Sequence, residues 1–308
     1  MDSGSIVPAT DVTSSKPQAI YDAVVGNAGC GGASNALQCL RDADYDTFLN
    51  AVTAVPGIFS YRSLDLSYLP RPDAGDDFFS QSPEDAIDAG NFAKVPVIVG
   101  DQEDEGTLFS LVQSNITTND ELIQYLASYF PANPNALADV ADLVANYPDQ
   151  ALLGQPAGSP FNTGVLNNIY PQFKRLAAVL GDVTFTLTRR VYLESLNGQV
   201  PCWSYLSTYL YGTPVLGTFH GSDILVAYGT SNDLNVPTTS VQTYFINFAN
   251  ALDPNNGGVD APLIQWPQWA IEEPDLLNFR ALRNTITLDN FRKKASDYLG
   301  ANKGSFKI

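Results

Sequence analysis

The sequence predicts an α/β fold, with a few strands of a central sheet and many helices around them. Two short apolar, β-branched runs carry the strand side of that reading: VPVIVGD (95–101) and TPVLGTF (213–219). Each has a Pro near its start and runs into a Gly, the pattern of an interior strand covered on both faces. The helical side rests on longer segments whose apolar residues recur at intervals of three and four. WSYLSTYL (203–210) is a further strand candidate.

Taken in order, the helical segments are PQAIYDAVVGNA (17–28), NDELIQYLASYF (119–130), NALADVADLVANY (135–147), the long run from Tyr170 to Leu196, and VQTYFINFANALD (241–253). In the third, Leu137, Val140, Leu143 and Val144 fall on one face. The 20 Pro and 23 Gly punctuate the chain evenly and no repeat interrupts it. Residues 1–308 therefore read as one domain with no internal boundary.

At 308 residues and 44% apolar composition the chain can bury a sizeable core. Its formal charge of −17 repels phosphate backbones and anionic headgroups, which excludes nucleic acid as a partner. No stretch is long and apolar enough to span a membrane. The residues single out neither a cofactor motif nor a set of metal ligands. Cys30 and Cys39 bracket a Gly-rich loop, CGGASNALQC, that can fold back and join them as a disulfide; a pair of small buried thiols is the alternative. Cys202 is left over as a buried thiol. NITT makes Asn115 a glycosylation acceptor if the chain is exported, although MDSGSIVPATDVTSSKP lacks the basic start and apolar run of a signal peptide.

Both strand ends carry polar residues. QEDEGT follows the first run and TFHGSD closes the second, which places Glu105 and His220, the one histidine of the chain, at carboxyl ends of strands. Open α/β sheets form their active sites on that edge. A carboxylate and an imidazole there suit an orienter and a general base, the second and third members of a triad whose first is a serine. The order Ser, then acid, then His is that of α/β-hydrolases, whose serine sits in a G-x-S-x-G elbow. No such elbow is found. Ser34 in GGASNA comes nearest but lacks a preceding strand; Ser231 in GTSND and Ser159 in AGSPF have unsuitable neighbours.

The stretches MDSGSIVP, AGCGGASNALQCLR, LSYLPRPD, VPVIVGDQEDEGTLF, NITT, SPFNTG, PQFKRLAAVLGD, PVLGTFHGSDI, FANALDPN and DNFRKKASDYL together resemble the type B carboxylesterases, closest to the fungal secreted lipase and sterol esterase branch. The resemblance implies the C-terminal part of an α/β-hydrolase fold from a secreted protein. It makes Glu105 the triad acid and His220 the base, and sets Phe59, Leu108 and Phe109 along the acyl site. The short disulfide loop and the sequon match as well. The family's M-x-S-G follows its nucleophile elbow, so Met1 falls in mid-fold, with elbow and oxyanion glycines expected upstream, and GSFKI resembles the family's ending. The implied function is hydrolysis of lipid or other carboxylic esters, with this chain supplying acid and base only, inactive alone, dependent on the N-terminal half and prone to self-association at a bare sheet edge. A non-catalytic esterase-like binding or adhesion module is the alternative.

Overall fold

The structure, a computed structural model, describes residues 1–156, 161–229, 236–258 and 263–308. Its helices are α1 Ser15–Asn27, α2 Ala36–Asp42, α3 Tyr45–Thr53, α4 Pro83–Asp88, α5 Asn119–Ala127, α6 Ala136–Val144, α7 Phe173–Gly181, α8 Leu187–Leu196, α9 Ile224–Ala227, α10 Val236–Ala251 and α11 Lys293–Ala301. The strands are β1 Val97–Gln102, β2 Cys202–Ser207, β3 Asp275–Phe279 and β4 Thr285–Leu288. They form one sheet in that order, β1, β2 and β3 parallel and β4 antiparallel. Residues 1–3 lie along the outer edge of β1, where Ser3 N–H donates to the Gly100 carbonyl and Gly100 N–H to that of Met1.

Alternation along the strands sorts the core into two faces. Ile98, Trp203, Tyr205, Leu277 and Phe279 pack with Tyr244 of α10 and with Trp266. Val99, Cys202, Leu206 and Leu276 pack with Leu193 and Leu196 of α8. β2 is buried at every position, as a strand covered on both sides must be. A larger cluster joins α5, α6 and α7. A satellite core of Val24, Val25, Leu40, Ala51 and Val55 holds α1 to α3 together, stapled by the Cys30–Cys39 disulfide.

One expected strand is absent. Residues 213–219 are a string of turns with a single bridge, Phe219 to Asp104. Pro214 offers no N–H to a ladder, and Val215 and Gly217 have φ of 66° and 61°, left-handed values that bend the chain out of extension. The run's apolar side chains are half-buried at most, Val215 against the α5–α7 cluster, and Pro214 is exposed. The candidate at 203–210 is instead the central strand β2. The segments β3 and β4 escaped notice because DLLNF and TITL are short and carry no continuous apolar run. The helical run from Tyr170 is interrupted by a π-helical turn, Asp182–Thr186, between α7 and α8.

Beneath the sheet end sits a fully buried ionic cluster. Arg189 Nε donates to Asp101 Oδ2 at 3.0 Å, and its two Nη groups donate to Asp289 at 2.8 Å each. Arg190 adds a 2.7 Å bond to the same carboxylate. Burial alone raises both carboxyls. At Asp289 two guanidiniums outweigh it and hold the group down at about 2, whereas at Asp101 burial prevails over Arg189 and pushes the group up to about 7.

These opposite shifts act on stability in different pH ranges. Asp289, lowered from 3.8, contributes stability above about pH 4 that is lost as pH falls towards 2. Asp101, raised from 3.8, keeps its proton in the folded state, so its contribution is complete below about pH 4 and declines as pH rises to about 7. The thermal midpoint should therefore be highest in the mildly acidic range and fall towards neutrality, and Asp101→Asn should flatten that decline; a scan from acidic to neutral buffers checks both. Peptide mapping without reductant should find Cys30 joined to Cys39. Cys202, buried and with its thiol pushed up to about 11 by burial, should resist alkylation until the protein unfolds.

Candidate functional site

The site forms where β1 ends. After Gln102 the chain turns through Glu103 to Gly106, and Glu103 N–H prolongs the sheet by donating to Ser207 O at 3.0 Å. Glu105 is 1% exposed. Its Oε1 accepts the Gln102 amide at 2.7 Å and the Ser3 hydroxyl at 2.5 Å, and its Oε2 meets His220 Nδ1 at 2.6 Å. A buried carboxylate needs its lone pairs filled, and this one has donors on both oxygens.

His220 stands at the end of the turn string 213–219, its side chain 32% exposed. Phe185 and Phe109 flank the imidazole, with ring centres 4.8 and 5.1 Å away, and stack on each other at 5.9 Å. With Nδ1 committed to Glu105, Nε2 is the ring nitrogen left to exchange a proton with a reacting group. An Nδ1–H donating to Glu105 Oε2 selects the Nδ1–H tautomer of the neutral ring and leaves Nε2 as the acceptor.

Gly106 lets the acid loop reach this position. A Cβ there would stand 1.8 Å from the Ala177 carbonyl oxygen and 2.7 Å from the Gly181 amide nitrogen, so the loop lies directly on α7. Tyr205 OH donates to Asp2, and Asp223 is pushed up to about 8 by burial and by a hydrogen bond shared with Asp2.

Of the other sequence candidates, some lie at the pair and the rest apart from it. Phe109 packs against His220, while Leu108 opens a short 3₁₀ turn, Leu108–Ser110, half-buried beside it. Phe59 is 67% exposed in a turn. Asn115 is exposed, its Nδ2 donating to Tyr61 OH at 3.0 Å. Ser34 lies exposed between the paired cysteines, and Ser159 and Ser231 fall outside the described residues. A cleft of about 900 Å³ opens between α1, α3 and residues 67–71, lined by Ile20, Tyr21, Phe48 and Tyr68; neither member of the acid–imidazole pair borders it. Sequence reasoning did not single out Ser3, Gln102 or Phe185. Ser3 and Glu105 are 102 positions apart, and Phe185 reads as one more apolar residue of a helix.

A mixed sheet whose three parallel strands lead to loops carrying a carboxylate and a histidine is the arrangement of an α/β-hydrolase fold, and solved structures agree. Aspergillus niger EstA superposes with a TM-score of 0.74 at 22% identity, over 100% of this chain and 58% of its own. A structure titled PNB esterase gives 0.69 at 17% identity, over 97% and 56%. The carboxylesterase family model matches residues 1–297. Secreted lipase 1 of Botryotinia fuckeliana is 50% identical over all of this chain and 52% of its own length. Secreted triacylglycerol lipase LIP1 of Gibberella zeae is 47% identical, and Lipase 4 of Diutina rugosa 42%, each over the whole chain and over 51% and 54% of their own lengths. The chain belongs to the carboxylesterase family, and it spans about half the length of these relatives.

The contact at Gly106 makes a direct prediction. Gly106→Ala should cost about 1–3 kcal/mol or more, because backbone on α7 must give way. It should also pull Glu105 from His220. Urea unfolding reads the first effect, and loss of the far-downfield Nδ1–H proton resonance of His220 reads the second.

Proposed function

We propose that this chain supplies the acid and base of a secreted carboxylic ester hydrolase, acting on lipid or other carboxylic esters by Ser-His-Glu chemistry. The observation that carries the reading is the 2.6 Å contact between His220 Nδ1 and a Glu105 carboxylate buried and hydrogen-bonded on its other oxygen. In this scheme a serine hydroxyl attacks the ester carbonyl carbon while His220 Nε2 takes its proton. The tetrahedral adduct collapses, the ester C–O bond breaks, and Nε2 returns the proton to the leaving alkoxide. Water then attacks the acyl-enzyme by the same route and releases the acid. Glu105 holds the ring in place through Nδ1 while the proton moves at Nε2.

The serine and its oxyanion donors belong, in this proposal, to a segment beyond these 308 residues, consistent with relatives about twice as long. Phe109 and Leu108 border the acyl site, and Phe59 joins them only if its exposed turn is covered. The relatives named as secreted lipases, the disulfide and the exposed sequon at Asn115 support export and glycosylation. A buried, fully bonded carboxylate that orients an imidazole serves proton transfer and has no use in a purely adhesive module.

The test is hydrolysis of p-nitrophenyl esters by the complete protein. His220→Ala and Glu105→Gln should each lower kcat by about 10³-fold or more, with little change in KM. The 308-residue chain by itself should self-associate and show no turnover above its His220→Ala control, and adding the upstream segment should restore it. Turnover by the isolated chain, with labelling by a serine-directed phosphonate, would overturn the division of the triad and make Ser34 the first residue to mutate.

A further inference from the structure

We propose that Asp104 is a positioning residue for His220, its side chain and that of Thr107 forming a latch that fixes the histidine loop against the acid loop. The proposal rests on the hydrolase reading of the Glu105–His220 pair and concerns how that pair is held.

The loop 213–219 has no ladder to hold it. Its ties to neighbouring segments are few and specific. Asp104 N–H donates to Thr218 O at 3.0 Å, and Thr218 N–H returns a 2.7 Å bond to Asp104 Oδ2. Thr107 Oγ1 donates to Leu216 O at 2.7 Å. On the far side Val215 N–H donates to Asn167 Oδ1 at 3.0 Å. These bonds hold a strained backbone: Val215 is β-branched and has φ of 66°, a left-handed value that such a residue adopts only under constraint. Released from its ties, the loop would relax towards a different path.

The placement of the latch determines what it controls. Asp104 immediately precedes Glu105, and Thr218 stands two residues before His220. A hydrogen-bonded pair so near both members fixes their separation with almost no slack. Asp104 is 0% exposed, and burial raises its carboxyl well above the ordinary range. Burying an acid at this point is costly, so a role confined to solubility or surface charge is excluded. What the site uses is an acceptor oxygen for the Thr218 amide, which an asparagine also offers.

The test uses the complete enzyme carrying this chain, with p-nitrophenyl ester kinetics and ¹⁵N-histidine spectra in which His220 is assigned by its loss in His220→Ala. Asp104→Asn should keep kcat within about 3-fold and leave the Nδ1–H resonance in place. Asp104→Leu should lower kcat about 10- to 100-fold with KM nearly unchanged, as misplacement of a catalytic group by about 1 Å does, and should broaden or shift that resonance. Thr107→Val, a milder change, should fall between them and keeps the test open if Asp104→Leu does not fold. The latch is overturned if Asp104→Leu or Thr107→Val folds with wild-type kcat and resonance. It is equally overturned if Asn and Leu at 104 lower kcat alike while the His220 resonance stays put, the mark of a merely structural role. Should His220→Ala itself keep full turnover, the hydrolase reading fails, and the His220 resonance in the Asp104 and Thr107 variants still decides the latch.

Discussion

The burial of the Glu105 carboxylate is the constraint on which this structure turns. An ionised group removed from water survives only where its oxygens are supplied with donors, and each donor here comes from a different part of the chain. The Gln102 amide belongs to the end of β1, the Ser3 hydroxyl to the segment lying along that strand, and the imidazole to a loop 115 residues away. Edge pairing by residues 1–3, the close seat of Gly106 on α7 and the turn string before His220 are thus conditions of one another. Loss of any one would leave a buried charge short of a partner.

A second ionic layer lies behind the first. Arg189, in α8, reaches β1 through Asp101, β2 through Ser204 and the segment after β4 through Asp289. It ties the sheet to the helix that covers it, just below the loops that carry Glu105 and His220. Such a cluster costs desolvation that its hydrogen bonds offset, and removing one partner would leave a buried charge uncompensated. The two aromatic rings against His220 extend the same logic above the sheet. They shield the imidazole–carboxylate contact on its flank, where water would weaken it, and leave the ring partly open to a reacting group.

Much of the architecture was legible. The amphipathic segments at 17–28, 119–130, 135–147 and 241–253 each overlap a helix, because a one-sided apolar stripe has few other uses. VPVIVGD became β1 for the converse reason, an apolar run too short for a helix and flanked by turn residues. TPVLGTF misled because a half-buried loop and a paired strand can carry the same apolar run, and the left-handed angles at Val215 and Gly217 tell them apart. The short strands β3 and β4 draw their pairing from neighbours distant in sequence, which local pattern does not report. His220 stood out through rarity and Glu105 through motif, whereas Phe185 lacked any local mark and Ser3 and Asp104, though inside MDSGSIVP and QEDEGT, showed nothing of their partners, since their significance is a matter of who stands beside them.

The sequence by itself determined the class of fold, the cysteine pair close enough to close a loop, and the carboxylate and imidazole that the fold brings together. These depend on local spacing and on the chemistry of individual side chains. The tertiary structure alone decided that the acid is buried with donors on both oxygens, that the imidazole reaches it through Nδ1, and that a strained loop, not a strand, presents the histidine. Those outcomes depend on contacts between segments about 100 residues apart, whose energies follow from distance and burial and leave no periodic trace in the chain.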